Sequence, residues 1–390
     1  MLEPEEPEKP DASADLGWTS LLSRLISEHG SRKPMTPPIP EIPEAAAPAS
    51  AVTPIPPPVI PQDPAETLDH LPKKIRQVQA EVSKVVVGQE AAVLAALYAL
   101  FSRGHCLLVG VPGLAKTLLV HSLSRALELP FSRIQFTPDL MPSDITGTEI
   151  LEDDASTGHR KFVFTRGPVF TQVLLADEIN RTPPKTQAAL LEAMQEKTVT
   201  VAGKMYRLEE PFIVLATQNP IEQEGTYPLP EAQLDRFLFE LLIDYPSLEH
   251  ERDLVEQHSF TPLDKLAPVM SREEVLKYRD AIAHVPAAPN VVDYAVRLVR
   301  ATRPADSSAP DYIKRWVRWG ASPRASQYLI VAGRARAASA GRFNVACEDV
   351  AALAPLVLRH RMIRSFQADA EGKSTDEIIA KLLEDVPREG

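Results

Sequence analysis

The chain has 390 residues, with 42 basic against 53 acidic side chains, a net charge of −11, 44% hydrophobic residues and two cysteines. At roughly 100–200 residues per domain it holds two or three domains, and its apolar content excludes a wholly disordered polymer. The acidic balance argues against a protein built mainly to coat nucleic acid, and Cys106 and Cys347 alone exclude a disulfide framework or a Cys-rich zinc site.

The first 64 residues stand apart. Fifteen of the 37 prolines fall there, and this stretch carries −6 of the net charge. A Pro/Ala-rich segment of this kind cannot bury enough apolar surface to offset its ordering entropy, so residues 1–64 are expected to form a disordered tail. One part departs from that texture. Trp18, Leu21, Leu22, Leu25 and Ile26 share one face of a short helix over about 16–28, a pattern suited to docking in a partner's groove. The acidic start MLEPEEPEKP lacks the basic region of a signal peptide. No stretch reaches the roughly 18 consecutive apolar residues of a membrane span, so a cytoplasmic protein without membrane insertion is expected.

From about residue 65 the pattern becomes α/β. Apolar runs at Cys106–Val109, Val173–Ala176 and Phe212–Ala216 alternate with helical stretches such as Ala91–Phe101 and Leu118–Leu127. Continuous apolar strands between helices predict a parallel sheet covered on both faces. After Tyr245-Pro246 the strand signal ends and Arg272–His284, Ala325–Ala340 and Asp349–Arg361 read as helices. The expected division is an α/β domain over 65–246 and a small all-helical domain over 247–390.

The chemistry begins at Gly110-Val111-Pro112-Gly113-Leu114-Ala115-Lys116-Thr117, between an apolar strand and a helix. This is the phosphate-binding loop pattern G-x-x-x-x-G-K-[ST] with Ala115 at the second glycine. Backbone N–H groups at a helix N-terminus cradle phosphate, Lys116 adds a point charge at the β- and γ-phosphates, and the Thr117 hydroxyl ligates Mg²⁺. A methyl group just inside a helix costs little, so the substitution reads as mild.

The run Val173-Leu174-Leu175-Ala176-Asp177-Glu178 follows, an apolar strand ending in two carboxylates 61 residues after Lys116. A parallel strand delivers them to the crevice where the loop lies. Asp177 suits the Mg²⁺ shell, and Glu178 suits polarising an attacking water. A third strand ends at Thr217-Gln218-Asn219-Pro220, which brings Asn219 to the same crevice. The ligand expected there is a nucleotide with Mg²⁺.

Taken together, these blocks resemble the AAA+ ATPases, and within them the MoxR-type branch, over about residues 66–365. The resemblance is carried by Val87-Gly88-Gln89-Glu90, GVPGLAKT at 110–117, and Leu175-Ala176-Asp177-Glu178-Ile179-Asn180-Arg181. It continues through Ala216-Thr217-Gln218-Asn219-Pro220, Leu229-Pro230-Glu231-Ala232-Gln233-Leu234-Asp235-Arg236-Phe237 and Gly320-Ala321-Ser322-Pro323-Arg324-Ala325. It implies a P-loop AAA+ domain with a helical lid, and ATP as the nucleotide. Asn219 would be sensor 1, and Arg236 would be a finger reaching the adjacent subunit's nucleotide. Arg324 would be sensor 2 over its own subunit's γ-phosphate, and Val86, Val87 and Gly88 would pack on the adenine. It also implies a ring, a hexamer, that hydrolyses ATP and remodels client or adaptor proteins, von Willebrand factor A domain proteins among them. Residues 149–167 and 198–208 read as two hairpins, similar to the family's pore-facing inserts.

Two other classes stay open. A nucleotide-gated scaffold would bind ATP without turnover, but intact Lys116, Asp177, Glu178 and Arg236 favour hydrolysis. A nucleic-acid motor needs basic tracking surfaces, and the hairpins offer few basic residues, Lys161, Arg166, Lys204 and Arg207 among them. The basic run Lys314–Trp319 reads better as a helical lid face with snorkelling stems. No histidine cluster signals a structural metal, and Cys106 lies in a buried strand as packing.

Overall fold

The computed structural model describes residues 64–153, 160–222, 225–256 and 263–388. The amphipathic stretch at 18–26, the rest of the Pro-rich tail and the polar turn at 154–158 lie outside the described residues.

Helices α1 (Pro64–Asp69), α2 (Leu71–Val82) and α3 (Glu90–Phe101) open the described chain, then β1 (Cys106–Val109) and α4 (Lys116–Ala126). Strand β2 (Phe131–Gln135), helix α5 (Pro142–Thr146) and the hairpin β3 (Gly147–Asp153) and β4 (Arg160–Arg166) come next. Then follow β5 (Val173–Asp177), α6 (Pro184–Glu196), a second hairpin β6 (Thr198–Val201) and β7 (Lys204–Arg207), and β8 (Ile213–Gln218). The α/β part closes with α7 (Glu231–Leu234) and β9 (Phe239–Leu242).

Beyond it lie α8 (Leu248–Glu256), α9 (Arg272–Ala283), α10 (Pro289–Ala301), α11 (Asp311–Trp316) and β10 (Val317–Trp319). The chain then runs through α12 (Pro323–Ser339), α13 (Cys347–Leu358), β11 (Ile363–Arg364), α14 (Phe366–Ala370) and α15 (Thr375–Asp385).

Five strands form one parallel sheet in the order β2-β5-β8-β1-β9. Alternate residues of its central strands enter two separate cores. Cys106, Leu108, Leu175 and Leu215 face α3 and α4, whereas Leu107, Leu174, Ala176, Val214 and Ala216 face Leu190, Leu191 and Met194 of α6. Period-two alternation with both faces buried is why these strands read as uninterrupted apolar runs. The C-terminal ends of β1, β5 and β8 therefore meet at one edge, where the loop after β1, Asp177, Glu178 and Asn219 lie.

The second part is helical, as expected, with one addition. Residues 317–319 leave the helix that the Lys314–Trp319 run suggests and pair antiparallel with β11. One more helix belongs with it in packing. Both α1 and α2 lie before the sheet in sequence, yet α1 packs on α9, while α2 bridges α3 and α4 of the α/β part and α12 of the helical part. Helices α9 and α15 each start with a capping box, Ser271 with Glu274 and Ser374 with Glu377, which fixes where those helices begin.

His105, buried just before β1, and Glu240, half-buried in β9, are titratable groups shifted by their surroundings. His105 accepts from the Val214 N–H at 2.9 Å and places Nε2 3.1 Å from the Met194 carbonyl, and burial pulls its pKa down to about 4. Burial under the lid pushes the Glu240 carboxyl up to about 7, with Arg359 opposing and Asp376 assisting. Between the ordinary carboxylate value and pH 7 the folded chain thus holds a proton that the unfolded chain has lost. This contribution is complete below pH 4.5 and disappears as pH rises through 7. Glu240→Gln should raise the melting temperature at pH 8 by roughly 2–5 °C relative to wild type and leave it unchanged near pH 5. An equal shift at both pH values, or none at either, would contradict the protonation assigned to Glu240.

Candidate active site

The loop after β1 turns on left-handed residues, Gly113 at φ 86° and Ala115 at φ 54°. Ala115 is the N-cap of α4 and provides no side-chain cap, so the first N–H groups of that helix face the cleft. The position thus costs more than the sequence reading implies. A methyl group in the left-handed region costs about 1–2 kcal/mol, whereas inside a helix it costs nothing. Gly110 is required for a different reason: a Cβ there would stand 2.4 Å from the Ile243 carbonyl oxygen.

A cleft of about 350 Å³ is lined by residues 112–118 together with Asp177, Glu178, Thr217 and Asn219. Three strand ends thus meet the helix terminus. Within the loop, Lys116 Nζ donates to the carbonyls of Gly110 and of Val111, the latter at 3.2 Å. Partial burial lowers its pKa, opposed by the nearby carboxylates of Asp177 and Glu178.

The two carboxylates are fixed by residues that sequence reasoning did not single out. Thr217 accepts from the Glu178 N–H at 2.8 Å and donates to Asp177 Oδ1 at 2.6 Å. Arg133 donates twice to Asp177 Oδ2, at 2.7 and 3.1 Å. Glu178 itself is left-handed, at φ 57°, and its Oε2 accepts from Gln135 at 2.8 Å and lies 3.0 Å from Arg181 Nε. Arg133 and Gln135 alternate on β2, so one face of that strand supports both acids; two polar residues spaced i, i+2 in a short strand were the available signal. Asn219 lines the cleft and its Oδ1 accepts from the Ile221 N–H at 3.2 Å, so it serves a turn and the site at once.

The segment expected to pack on the adenine borders the chain after β9 and lies outside this cleft. Val86 is buried, and Gly88, at φ 77°, lies so close to the chain after β9 that a Cβ would be 2.9 Å from His250 Nδ1. Val86, Val87, Gly88, Gly110 and Val111 do not line the cleft.

Neither arginine lines it. Arg236 and Arg324 line a different cavity of about 190 Å³, together with Arg103, His105, Lys197 and Tyr328. Arg236 donates to the Leu191 carbonyl at 3.0 Å, and Arg324 lies 3.8 Å from Asp235. The resemblance implies a place for Arg324 over its own subunit's γ-phosphate; in this structure Arg324 lines the cavity that Arg236 also lines. The reason is the docking of the lid, which brings the N-terminus of α12 against the segment between α7 and β9 through Ser322 and Asp235.

The donor set of the first cleft fits Mg²⁺ and a nucleotide triphosphate. Uncapped helix N–H groups and Lys116 offer positive potential to phosphate, and Thr117 and Asp177 offer the hard oxygens that Mg²⁺ takes. Among the described residues no group of three or more His, Cys, Asp or Glu forms a separate metal site.

The chain also has close relatives. The family model of the ATPase family associated with various cellular activities (AAA) matches residues 105–239, and an AAA lid domain matches residues 312–382. Chaperone MoxR1 of Mycobacterium tuberculosis is 45% identical over 306 residues, 78% of this chain and 80% of that protein. The chain belongs to the MoxR family of AAA+ ATPases. Protein MoxR of Paracoccus denitrificans is 33% identical, over 75% of this chain and 89% of that protein. The crystal structure of a putative ATPase from Cytophaga hutchinsonii superposes with a TM-score of 0.76 at 43% identity, covering 83% of this chain and 97% of that one. The AAA match spans β1 to β9, so it takes in every cleft residue, and the relatives extend it over the lid. This MoxR-family chain carries no helix, among its described residues, that is long and apolar enough to cross a membrane.

Proposed function

We propose that this MoxR-family chain hydrolyses ATP with Mg²⁺ in a cytoplasmic ring of subunits, a hexamer, and uses the cycle to remodel client proteins. The observation that carries this reading is the separation of the two halves of the site. Loop, carboxylates and Asn219 line one cleft, and the charge-stabilising arginines line another. An arginine finger delivered from a neighbour completes such a site, and repeated head-to-tail contact closes into a ring.

In this scheme Lys116 leaves the Gly110 and Val111 carbonyls and takes up phosphate charge. Thr117 and Asp177 would hold Mg²⁺, which neutralises phosphate charge when bound. Glu178 accepts a proton from the attacking water, and Asn219 orients that water from the end of β8. Arg236 and Arg324 of the next subunit meet the charge that develops on the transferred phosphoryl group. Val86, Val87 and Gly88 pack on the adenine.

The client face is assigned to the hairpins. They are joined by a Phe164–Tyr206 stack with centroids 4.2 Å apart, by Phe170 at its edge, and by Lys204 with Glu149 at 3.2 Å. Phe162 and Met205 are exposed to 69% and 70%, which offers apolar side chains to a polypeptide. Adaptors with von Willebrand factor A domains are further partners in this reading.

The test is steady-state ATP hydrolysis against protein concentration. Turnover per subunit should rise with concentration as rings assemble. A flat, measurable rate would remove the shared site, and tight ATP binding without turnover at any concentration would favour the scaffold.

A further inference from the structure

The segment that presents Arg236 is gripped by the lid at every peptide. Asp235 O accepts from Arg361 Nη2 at 3.0 Å, and Arg236 O from Tyr328 Oη at 3.5 Å. Phe237 O accepts from Arg361 and lies 3.1 Å from His360 Nε2, and Leu238 O accepts from Arg361 Nη1 at 3.4 Å. Four successive carbonyls, 235 to 238, therefore go to lid side chains.

Arg361 is the centre of this grip. Its side chain is 1% exposed, its Nε donates to Asp235 Oδ1 at 2.7 Å, its Nη1 donates to Val357 O, and its guanidinium lies 5.0 Å from the Tyr328 ring centroid. Asp235 in turn accepts from Ser322 at 3.1 Å and lies 3.8 Å from Arg324. One buried guanidinium thus joins the finger segment, the aromatic ring under it and the start of α12 into a single body.

A buried arginine of this kind usually only holds a fold together. Here its acceptors are specific. Apart from Val357 O in the lid, they are the backbone oxygens on either side of Arg236 and the carboxylate next to it, on the α/β part, whereas Arg361 itself lies in the 3₁₀ turn that follows α13 in the lid. An error of about 1 Å in a group that must meet a transition state costs about 10²-fold in rate. We infer that Arg361 is a positioning residue for the arginine finger: it fixes Arg236 to its own lid, so that the lid of one subunit sets the finger offered to the next. The inference rests on the proposed shared site.

The experiment co-expresses full-length chains carrying two different substitutions. Lys116→Ala abolishes a subunit's own nucleotide site and leaves its finger intact. Arg236→Ala does the reverse. Mixed rings of these two should regain activity, because random assembly gives roughly a quarter of interfaces an intact loop facing an intact finger. Arg361→Gln alone should lower turnover about 10- to 100-fold, while the dilute protein keeps wild-type ATP affinity. Mixed with Lys116→Ala it should recover as Arg236→Ala does, to roughly a quarter of the wild-type rate. Asp235→Asn, which removes one acceptor and keeps the shape, should repeat this pattern with a smaller loss.

Recovery of Arg236→Ala without recovery of Arg361→Gln and Asp235→Asn would overturn the role given to Arg361, and so would wild-type turnover in both variants. Failure of the Arg236→Ala mixture would remove the shared site itself, and this inference with it.

Discussion

Glu178→Gln should lower ATP turnover by about 10²–10⁴-fold and leave ATP bound. Glu178 is held firmly at the cleft. Its backbone is left-handed and its N–H is taken by Thr217, which also fixes Asp177. Holding a non-glycine residue there costs about 1–3 kcal/mol, which the surrounding hydrogen bonds must offset. Gln135 and Arg181 hold Oε2 at 2.8 and 3.0 Å. Glutamine keeps the size and the backbone contacts but cannot take a proton from water. Binding comes from other groups, the helix terminus and Lys116, so affinity should stay within about threefold of wild type, less than the roughly 1 kcal/mol of a lost hydrogen bond. Single-turnover hydrolysis with an equilibrium titration of ATP separates the two. Turnover within tenfold of wild type would take the general-base role from Glu178.

The residues that were legible from sequence share a physical feature. The three central strands are buried on both faces, so Cys106–Val109, Val173–Asp177 and Ile213–Gln218 are nearly unbroken apolar runs. The edge strands lack that mark. Strand β2 interrupts its apolar residues with Arg133 and Gln135, and β9 is four residues long with Glu240 inside it. Strand β10 hides in a basic, aromatic run because three residues cannot establish a period. Loop and carboxylates could be read because their chemistry depends on residue type and local order. Positions set by domain docking could not. Nothing local marks Arg361, whose acceptors are mostly carbonyls 123 to 126 residues away. Nor does any local pattern say whether Arg324 serves its own site or a neighbour's.

That last distinction can be measured. Arg236→Ala should lower the turnover of assembled protein by about 10³-fold, and Arg324→Ala by about 10–10²-fold. Both should leave the ATP affinity of dilute, unassembled protein unchanged. The reason is geometric. Both arginines line the 190 Å³ cavity with Arg103 and Lys197, and neither borders the loop cleft where the chain's own nucleotide would lie. Arg324 is half-exposed, and its pairing with Asp235 is long, at 3.8 Å, because Arg361 holds that carboxylate at 2.7 Å, so its charge is available to a ligand arriving from outside. An arginine that reads its own subunit's γ-phosphate would instead support binding at every protein concentration. Its loss would weaken ATP affinity about tenfold or more, the 1.5–3 kcal/mol of a charge-assisted hydrogen bond. Nucleotide titrations of each variant below and above the assembly concentration therefore decide the matter. Weakened binding in dilute Arg324→Ala would return that residue to its own site and leave Arg236 as the sole group supplied by the neighbour. Unchanged binding together with the loss of turnover would give the neighbour both.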